Sequence, residues 1–406
     1  MPSRRALLYR LATLTGAAGL SGCSNFLARR AESPTADLPP NPHAGDLPQR
    51  QFAWNDGLRT DSDGNSLSPE HFRLLLLNLD TDPSEEAART VELAMRTLED
   101  AFEFRSDGLL HMLGWGTAYF ERLGRLGDSP IRHPTVVSRT DDPELLSYDA
   151  ILVLASDVPS QLEAAESAMF GTRSSLGGVT VEQRLGDAFT LADRRTGFLG
   201  EGLPAQHANA EGVPNDIPDD APNFTGFFSG RTGTQASEER VTISDGRYAG
   251  GTTMHLSHLR ESLDNWWAMP EADRVTQMFS SEFSPEDVAG NGPIDFADAV
   301  TEHAQETGRV GHWEKVARAR KDDEPLLLRR DFNSVDGGHA AVQFLSVQRT
   351  LDDFVETRDA MNGWWLQDEH PDIQDERHNG ILEFIEVLSR ANFYVPPRDR
   401  RAFPDA

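Results

Sequence analysis

The first side chain whose position suggests chemistry is the thiol of Cys23, the single cysteine of the chain. It follows Leu-Ser-Gly, and small residues before a cysteine let a lipoprotein peptidase expose the thiol for acylation. Paired arginines at positions 4 and 5 precede an apolar stretch, Leu11–Leu20, that has signal-peptide layout and is too short to span a bilayer. We therefore predict a twin-arginine lipoprotein signal over residues 1–23, with Cys23 as the lipid attachment site on the outer face of the cytoplasmic membrane.

Two further segments could bind a metal ion. The stretch from Asp61 to Asn65 begins like a calcium loop, but Ser66 and Phe72 stand where that loop needs glycine and glutamate, so we interpret it as a turn. The pair His255 and His258 could share a helix face. No third ligand is evident from the sequence, and we expect exposed histidines instead. We find neither a phosphate-binding glycine loop nor a Gly-x-Ser-x-Gly elbow.

The charge of the chain indicates a high-salt habitat. The formal net charge is -28, with 66 acidic residues, and the only lysines are Lys315 and Lys321. Self-repulsion of this size destabilises a fold in dilute salt, but at molar salt the Debye length falls to about 3 Å and screens it. We therefore expect a halophilic protein. The acidity also argues against nucleic-acid binding, which needs basic patches.

The elements that must position any site follow a proline-rich tether over residues 24–48. The first half predicts a βαββαβ order, which is the ferredoxin-like unit. Its predicted elements are the strand Phe72–Leu79, a helix capped by Asp82 and begun by Pro83, the strands Leu109–Trp115 and Ala150–Ala155, the helix Pro159–Phe170 and the strand Val179–Arg184.

The second half repeats this order more loosely. Its predicted elements are the strand Thr252–Leu256, the helices His258–Trp267 and Glu271–Ser280, the strands Leu326–Asp331 and Ala340–Val347, the helix Leu351–Met361 and a strand at Asn392–Val395. We therefore predict the α+β class, with ferredoxin-like domains at residues 49–195 and 196–406. The connecting loop, Phe198–Arg240, is long enough that we expect it to be functional or disordered.

Two such units behind an export signal resemble the dye-decolourising (Dyp-type) haem peroxidases, which bind haem in the C-terminal unit. The resemblance covers most of residues 48–361. It implies a dimeric α+β barrel-like fold, haem b as cofactor, hydrogen peroxide and an unknown reductant as partners, and allows a homo-oligomer. It rests on the order of seven segments: Gln49–Leu79, Leu110–Phe120, Gly197–Pro204, Gly250-Gly251, Gly311-His312, Leu326–Phe332 and Gly338–Asp353.

The resemblance implies roles for three side chains. His312 matches the haem-ligating histidine, and an imidazole is a common iron ligand. Glu201 lies near the position of the family's distal aspartate and would move the peroxide proton. Arg329 would contact haem and stabilise charge on the leaving oxygen. Glu314, where many relatives carry arginine, would bring a carboxylate near the haem edge.

Three functions remain open on these grounds. The first is an exported haem peroxidase, the second a surface lipoprotein that binds haem or handles its iron, and the third a scaffold that has lost haem. The loop Phe198–Arg240 separates them in part. If it closes over an apolar cavity beside His312, haem is expected, whereas a cavity filled by arginine and glutamate side chains would exclude it.

Overall fold

The structure of the protein, a computed structural model, describes residues 45–295 and 299–406. The predicted signal with Cys23, and most of the tether, lie outside these residues. Within them, eight antiparallel strands form a closed barrel, because one strand of the second half pairs with both its neighbour and the last strand. The strands are β1 (His71–Leu79), β2 (Leu110–Gly116), β3 (Ala150–Ser156), β4 (Phe189–Phe198), β5 (Thr252–Glu261), β6 (Phe332–Ser334), β7 (Ala341–Gln348) and β8 (Ile385–Val395).

Four helices matter most for the argument: α1 (Glu85–Ala101), α2 (Pro159–Phe170), α3 (His312–Val316) and α4 (Leu351–Asn362). Shorter α-helices are Thr117–Arg122, Leu203–Gln206, Leu263–Trp267, Glu271–Met278, Pro285–Val288, Val300–Thr307 and Trp364–Gln367. Single 3-10 turns are Asn55–Gly57, Leu126–Asp128, Leu185–Asp187, Pro371–Gln374, Glu376–His378, Leu382–Phe384 and Arg398–Arg400. Short strands are Arg59–Thr60, Ser66–Leu67, Glu144–Leu145, Ser175–Leu176, Val179–Thr180, Arg320–Lys321, Glu324–Pro325 and Leu328–Arg329.

The strand order reveals a repeat. It runs β4-β1-β3-β2 in the first half and β8-β5-β7-β6 in the second, so that each half places its fourth, first, third and second strands side by side. The halves join where Trp115 pairs with Tyr394 and where Phe198 pairs with Asn333. The predicted α+β class with two ferredoxin-like units in a barrel-like arrangement is confirmed. The domain division at residues 195 and 196 falls inside β4 and stays a prediction.

Strand alternation separates the core into an inner and an outer layer. Leu74 and Leu76 of β1 point into the barrel, where they meet Met254, Leu256 and Leu345 of the second half. The outer face of the first half packs on α1 and α2 instead. Its members include Leu75, Leu77, Val91, Met95 and Leu162.

Several predicted element boundaries are wrong. The helix α1 begins at Glu85, because the Ser84 hydroxyl rather than Asp82 accepts the hydrogen bond of the Ala87 N–H at 3.1 Å. The segment Val179–Arg184 forms only a two-residue strand, and the fourth strand of the unit is β4. Its Arg195 is buried in the barrel, where it donates to Gln343 at 3.2 Å, so charge hid this strand in the sequence.

The second half shows two more corrections. β5 continues through Glu261 past a register shift at His258, so the predicted helix is confined to Leu263–Trp267. The strand predicted at Leu326–Asp331 is reduced to Leu328–Arg329 before β6 begins. In the described part of the chain no helix is both long and apolar enough to cross a membrane.

Candidate functional site

Helix α3 carries His312 at its first residue, and its neighbours fix that start. The Glu314 carboxylate accepts the Gly311 N–H at 2.5 Å and pairs with His303 Nδ1 at 2.7 Å. Burial raises the pKa of Glu314, and although burial also acts to lower the pKa of His303, the hydrogen bond with Glu314 raises it overall. Glu314 is therefore paired with His303 and is absent from the residues that line the cavity beside His312, while its position relative to a haem edge stays a prediction.

Lys315 ties the same helix to its surroundings. Its buried Nζ donates to the Met361 carbonyl at 2.7 Å and to the Asn379 carbonyl and Oδ1 at 3.0 and 2.6 Å. Burial lowers the pKa of Lys315 to about 7, and the charge of Arg358 adds to this. Because one ammonium group fastens α3 to the end of α4, the position of His312 relative to α4 is fixed.

A cavity of about 470 Å³, called the His312 cavity below, is lined in part by His312. That volume lies in the range of cofactor and small-molecule sites. The wall is mainly apolar, and three residues of the loop Phe198–Arg240 are part of it. Its members include Thr232, Gly233, Thr234, Leu259, Val316, Leu326, Leu327, Phe344, Phe354 and Met361. Four arginines, Arg320, Arg329, Arg358 and Arg390, line the same cavity, so the expectations for an apolar and for an arginine-lined cavity are each met in part.

The surroundings of the His312 ring favour its neutral form. Nδ1 is buried and finds no hydrogen-bond partner among the described residues, while the accessible part of the ring faces the cavity. Burial lowers the pKa of His312 to about 3, and the charges of Lys315, Arg329 and Arg358 contribute. The imidazole is therefore neutral at physiological pH, which is the form that binds a metal ion.

Arg329 lines the same cavity. It lies in a short strand paired with β7, its backbone N–H donates to Gln235 Oε1 at 2.8 Å, and its Nη2 donates to the Ser229 carbonyl at 2.8 Å. Arg330 faces the other way and donates to Asn55 Oδ1 at 3.1 Å. The fold therefore brings His312 and Arg329 together, as the resemblance implies.

Glu201 lies elsewhere. It is exposed and lines a second cavity of about 1260 Å³, called the Glu201 cavity below, which Arg329, Thr232 and Gly233 also line. The two cavities therefore share a wall, but Glu201 is absent from the lining of the His312 cavity. Its predicted role as proton carrier stays a prediction.

Four charged residues that line the His312 cavity were missed from the sequence: Asp295, Arg320, Arg358 and Arg390. Arg358 and Arg390 line the His312 cavity and share one carboxylate, with Asp141 oxygens 3.0 and 2.5 Å from their Nη2 atoms. Burial lowers the pKa of Arg390 to about 10, with a contribution from Arg358. Two guanidinium groups per carboxylate leave this end positive. Asp295 is the only carboxylate among the described residues that line the cavity.

The other candidate metal sites are resolved by the fold. Asp61 accepts the N–H groups of Asp63 and Asn65 at 3.0 and 2.9 Å, so the segment is a turn, as interpreted. His255 is buried on a strand, contrary to the exposed position expected for it, because β5 runs through the barrel wall. Among the described residues no group of three histidine, cysteine or acidic side chains could hold a metal ion.

Comparison with known proteins agrees with the fold. No curated protein matches the chain. The DyP-type peroxidase from Cellulomonas bogoriensis is 17% identical, with 84% of this chain and 95% of that chain covered and a TM-score of 0.56. A putative Dyp-type peroxidase from Shewanella oneidensis is 15% identical, with 82% of this chain and 94% of that chain covered and a TM-score of 0.55. A DypB variant of Rhodococcus jostii RHA1 in complex with heme is 14% identical, with 86% of this chain and 97% of that chain covered and a TM-score of 0.53.

At these identities the solved structures establish likeness of fold. A family model matches residues 69–397, which is most of the chain and includes both units of the barrel. The chain therefore belongs to the family described as a family of unknown function (DUF7405), and it has the fold of the Dyp-type peroxidases.

Proposed function

We propose that the protein binds haem b in the His312 cavity and acts as a peroxidase, which reduces hydrogen peroxide and oxidises a second, unidentified substrate. The observation that carries the proposal is the His312 ring, which makes no hydrogen bond to any described residue and lines a mainly apolar cavity together with Arg329. The heme complex of the similar Rhodococcus protein supports it.

The residues of the cavity fit this cofactor. His312 would ligate the iron, the apolar wall would cover the ring, and Arg358 and Arg390 would pair with the acidic side groups, since Asp141 leaves part of their charge and several of their N–H groups unmatched. Haem, when bound, supplies the redox chemistry.

The chain itself would bind peroxide and move its proton. Arg329 stabilises negative charge on the departing oxygen, since it lines the cavity and its charge acts on His312. Asp295 accepts the proton from one peroxide oxygen and returns it to the other, because it is the carboxylate that the described wall offers. We assign this step to Asp295 rather than to Glu201, which lines the neighbouring cavity.

The first test is reconstitution with hemin in molar salt, followed by removal of the excess and an absorption spectrum. We expect a Soret band in the wild-type protein and in His133→Ala, an exposed histidine outside the His312 cavity, and no band in His312→Ala. A band of equal size in His312→Ala would contradict the assigned ligand.

The second test measures the rate of the reaction with peroxide in protein that retains haem. We expect Arg329→Leu to slow it by about 100-fold and Asp295→Asn by a similar factor, while Glu201→Gln stays within twofold. If Glu201→Gln is slow and Asp295→Asn is fast, the two carboxylates must exchange roles.

A second candidate function is haem binding without turnover. It is favoured by the positions of the two carboxylates, because Glu201 does not line the His312 cavity and Asp295, which does, is exposed. Stable haem with no peroxide-dependent oxidation of several dyes would support this function over the peroxidase.

Export belongs to the proposal as well. The twin-arginine signal, the lipid anchor at Cys23 and the acidic composition favour a protein that works outside the cell in high salt. In protein purified from the native host, mass spectrometry should find a chain that begins at Cys23 with a lipid on the thiol, and Cys23→Ser should carry no such lipid. An unmodified Cys23 in the exported wild-type protein would contradict the anchor.

A further inference from the structure

The wall of the His312 cavity carries a hydrogen-bonded row of three side chains. Ser257 lines the cavity, and its Oγ lies 2.7 Å from His255 Nε2. His255 Nδ1 lies 2.7 Å from Asn392 Oδ1. All three side chains are at least nine-tenths buried, and the His255 ring stacks on Phe354 with a centroid distance of 3.6 Å.

The position of each proton in this row follows from its far end. Asn392 Nδ2 donates to the Arg132 carbonyl at 2.9 Å, so Oδ1 is the amide atom that faces the imidazole. An amide oxygen only accepts, and therefore His255 carries its hydrogen on Nδ1. Nε2 is then bare and accepts the hydroxyl hydrogen of Ser257.

The direction of the hydrogen bonds in this row is stable because His255 stays neutral. Burial lowers the pKa of His255 to about 3, and the charges of Arg390 and Arg358 contribute, so the ring stays neutral and keeps one acceptor nitrogen. The same low basicity argues against Ser257 as an activated nucleophile, since His255 would resist taking its proton. No described residue donates a hydrogen bond to Ser257 Oγ, whose lone pairs are the free part of the group.

We propose that Ser257 is a fixed hydrogen-bond acceptor in the His312 cavity, held in that state by His255 and Asn392, and that it binds a neutral hydroxyl donor. The acceptor itself does not depend on haem. Only the identity of the donor rests on the proposed function, under which it is undissociated hydrogen peroxide. Ser257 would then position the peroxide, while Arg329 and Asp295 act on its charge and proton.

The polarity of the row can be tested in the full chain without haem. In a 15N-labelled sample at pH 7, the imidazole whose signals shift in Ser257→Ala is His255. We expect a directly bonded hydrogen on its Nδ1 and none on its Nε2. A hydrogen on Nε2 would overturn the proposal, because Ser257 would then donate to the cavity or have no fixed direction.

The binding of a donor can be tested with phenol and anisole, which are similar in shape but differ in the hydroxyl hydrogen. The measurement is the ratio of their dissociation constants in the haem-free full chain, for wild type and Ser257→Ala. We expect Ser257→Ala to lower the preference for phenol by about tenfold, the value of one hydrogen bond. The control, Ser346→Ala, removes a buried hydroxyl of the same sheet that bonds to Gln348 outside the cavity, and it should leave the ratio unchanged. An unchanged ratio in Ser257→Ala would overturn the proposal.

In haem-loaded protein, Ser257→Ala should slow the reaction with peroxide by about tenfold and leave the affinity for fluoride, which donates no hydrogen bond, within twofold. A wild-type rate would overturn the role with peroxide. Failure to bind haem, with the phenol preference intact, would contradict the proposed function and leave the acceptor established.

Discussion

The two halves of the barrel share a strand order but differ on their outer faces. In the first half, this face carries Leu75 and Leu77, which are fully buried under α1 and α2. In the second half, the corresponding face carries His255, Ser257 and Arg390 beside a cavity, with α4 against part of it. One copy of the repeated unit therefore supplies a closed apolar layer, while the other retains the space and the polar groups of a site.

The connections explain this difference. In the first half a single long helix, α1, joins the first two strands and covers the sheet with a continuous apolar stripe. In the second half the corresponding connection, residues 262–331, includes five short α-helices, among them α3. Short elements leave gaps between them, and the His312 cavity is lined by residues from this connection and from α4. We therefore expect mutations on the two faces to change the free energy of unfolding by different amounts and in different directions.

The largest effect is expected where α1 holds the end of the chain. Glu99 is fully buried and pairs with Arg398 and with Arg401, whose Nη1 lies 2.5 Å away. Despite burial, these guanidinium groups hold the pKa of Glu99 far below its usual range. Glu99→Gln should lower the free energy of unfolding by about 3–5 kcal/mol at pH 7, because it leaves buried charges unmatched. Urea denaturation in molar salt measures this.

The control for that variant is Glu103→Gln, which breaks an exposed pair with Arg105 and should cost less than about 0.5 kcal/mol.

The direction in which pH changes the stability from Glu99 follows from its depressed pKa. The stability from Glu99 is fully present above the unfolded pKa near 4.5 and is lost progressively as the pH falls from there toward the strongly depressed pKa of the folded state, so the difference between wild type and Glu99→Gln should shrink in acid. Equal stabilities of wild type and Glu99→Gln at pH 7 would contradict the role of this pair.

A smaller effect compares the apolar residues of the two faces. Leu75 is fully buried, and Leu75→Ala should cost about 3 kcal/mol because the packed layer cannot collapse around the void. Leu259 lines the His312 cavity and is partly exposed, so Leu259→Ala should cost less than about 1 kcal/mol. Thermal unfolding of both variants in one buffer tests the contrast, and equal losses would mean that the cavity is closed in solution.

The third effect has the opposite sign. Glu261, the last residue of β5, has a buried Oε2 that finds no hydrogen-bond partner among the described residues. Burial, together with the charge of Asp331, raises the pKa of Glu261 to about 8. The unfolded carboxyl releases its proton near pH 4.5, so stability falls as the pH rises from 4.5 to 8. Glu261→Gln should therefore stabilise the protein by about 2 kcal/mol at pH 7 and by nothing at pH 4. Destabilisation at pH 7 would indicate a partner for this carboxyl.

The smallest effect is expected at His312. Its ring makes no hydrogen bond to a described residue and lines the His312 cavity, so His312→Ala should change the stability of haem-free protein by less than about 0.5 kcal/mol. Hemin should raise the melting temperature of the wild type and leave that of His312→Ala unchanged, because only a ligand that binds the folded state stabilises it. A large loss in haem-free protein would assign His312 to the core.

Local pattern was enough for elements that stand alone in the sequence. The helix Pro159–Phe170 was predicted to the residue, because Pro159 opens it and Gly171 follows it. β4 was not predicted, since its buried Arg195 finds its partners Gln343 and Ser389 only in the folded barrel. The extension of β5 depends on a similar effect, because His258 and Arg260 look helical until β7 and β8 pair with them.

For the site, sequence motifs located the two residues that lie in short segments resembling Dyp-type motifs, His312 and Arg329. Asp295, Arg358 and Arg390 carry no such signal, because each reaches the cavity only through the packing of elements distant in the chain. Arg358 in particular reads as an ordinary charged residue of a helix. Its carboxylate partner, Asp141, lies 217 residues away in the sequence.

The pairing of β8 has a consequence for how the protein is made. β8 bonds to β5 on one side and to β2 on the other, so it closes the barrel between the two units. A chain still on the ribosome, with Val395 not yet released, would present two unpaired strand edges that invite pairing with other molecules. Folding must therefore wait for complete translation, and contacts this distant in sequence form slowly. Mutations that delay the docking of β8 should reduce the yield of soluble protein in cells while leaving the purified protein as stable as the wild type.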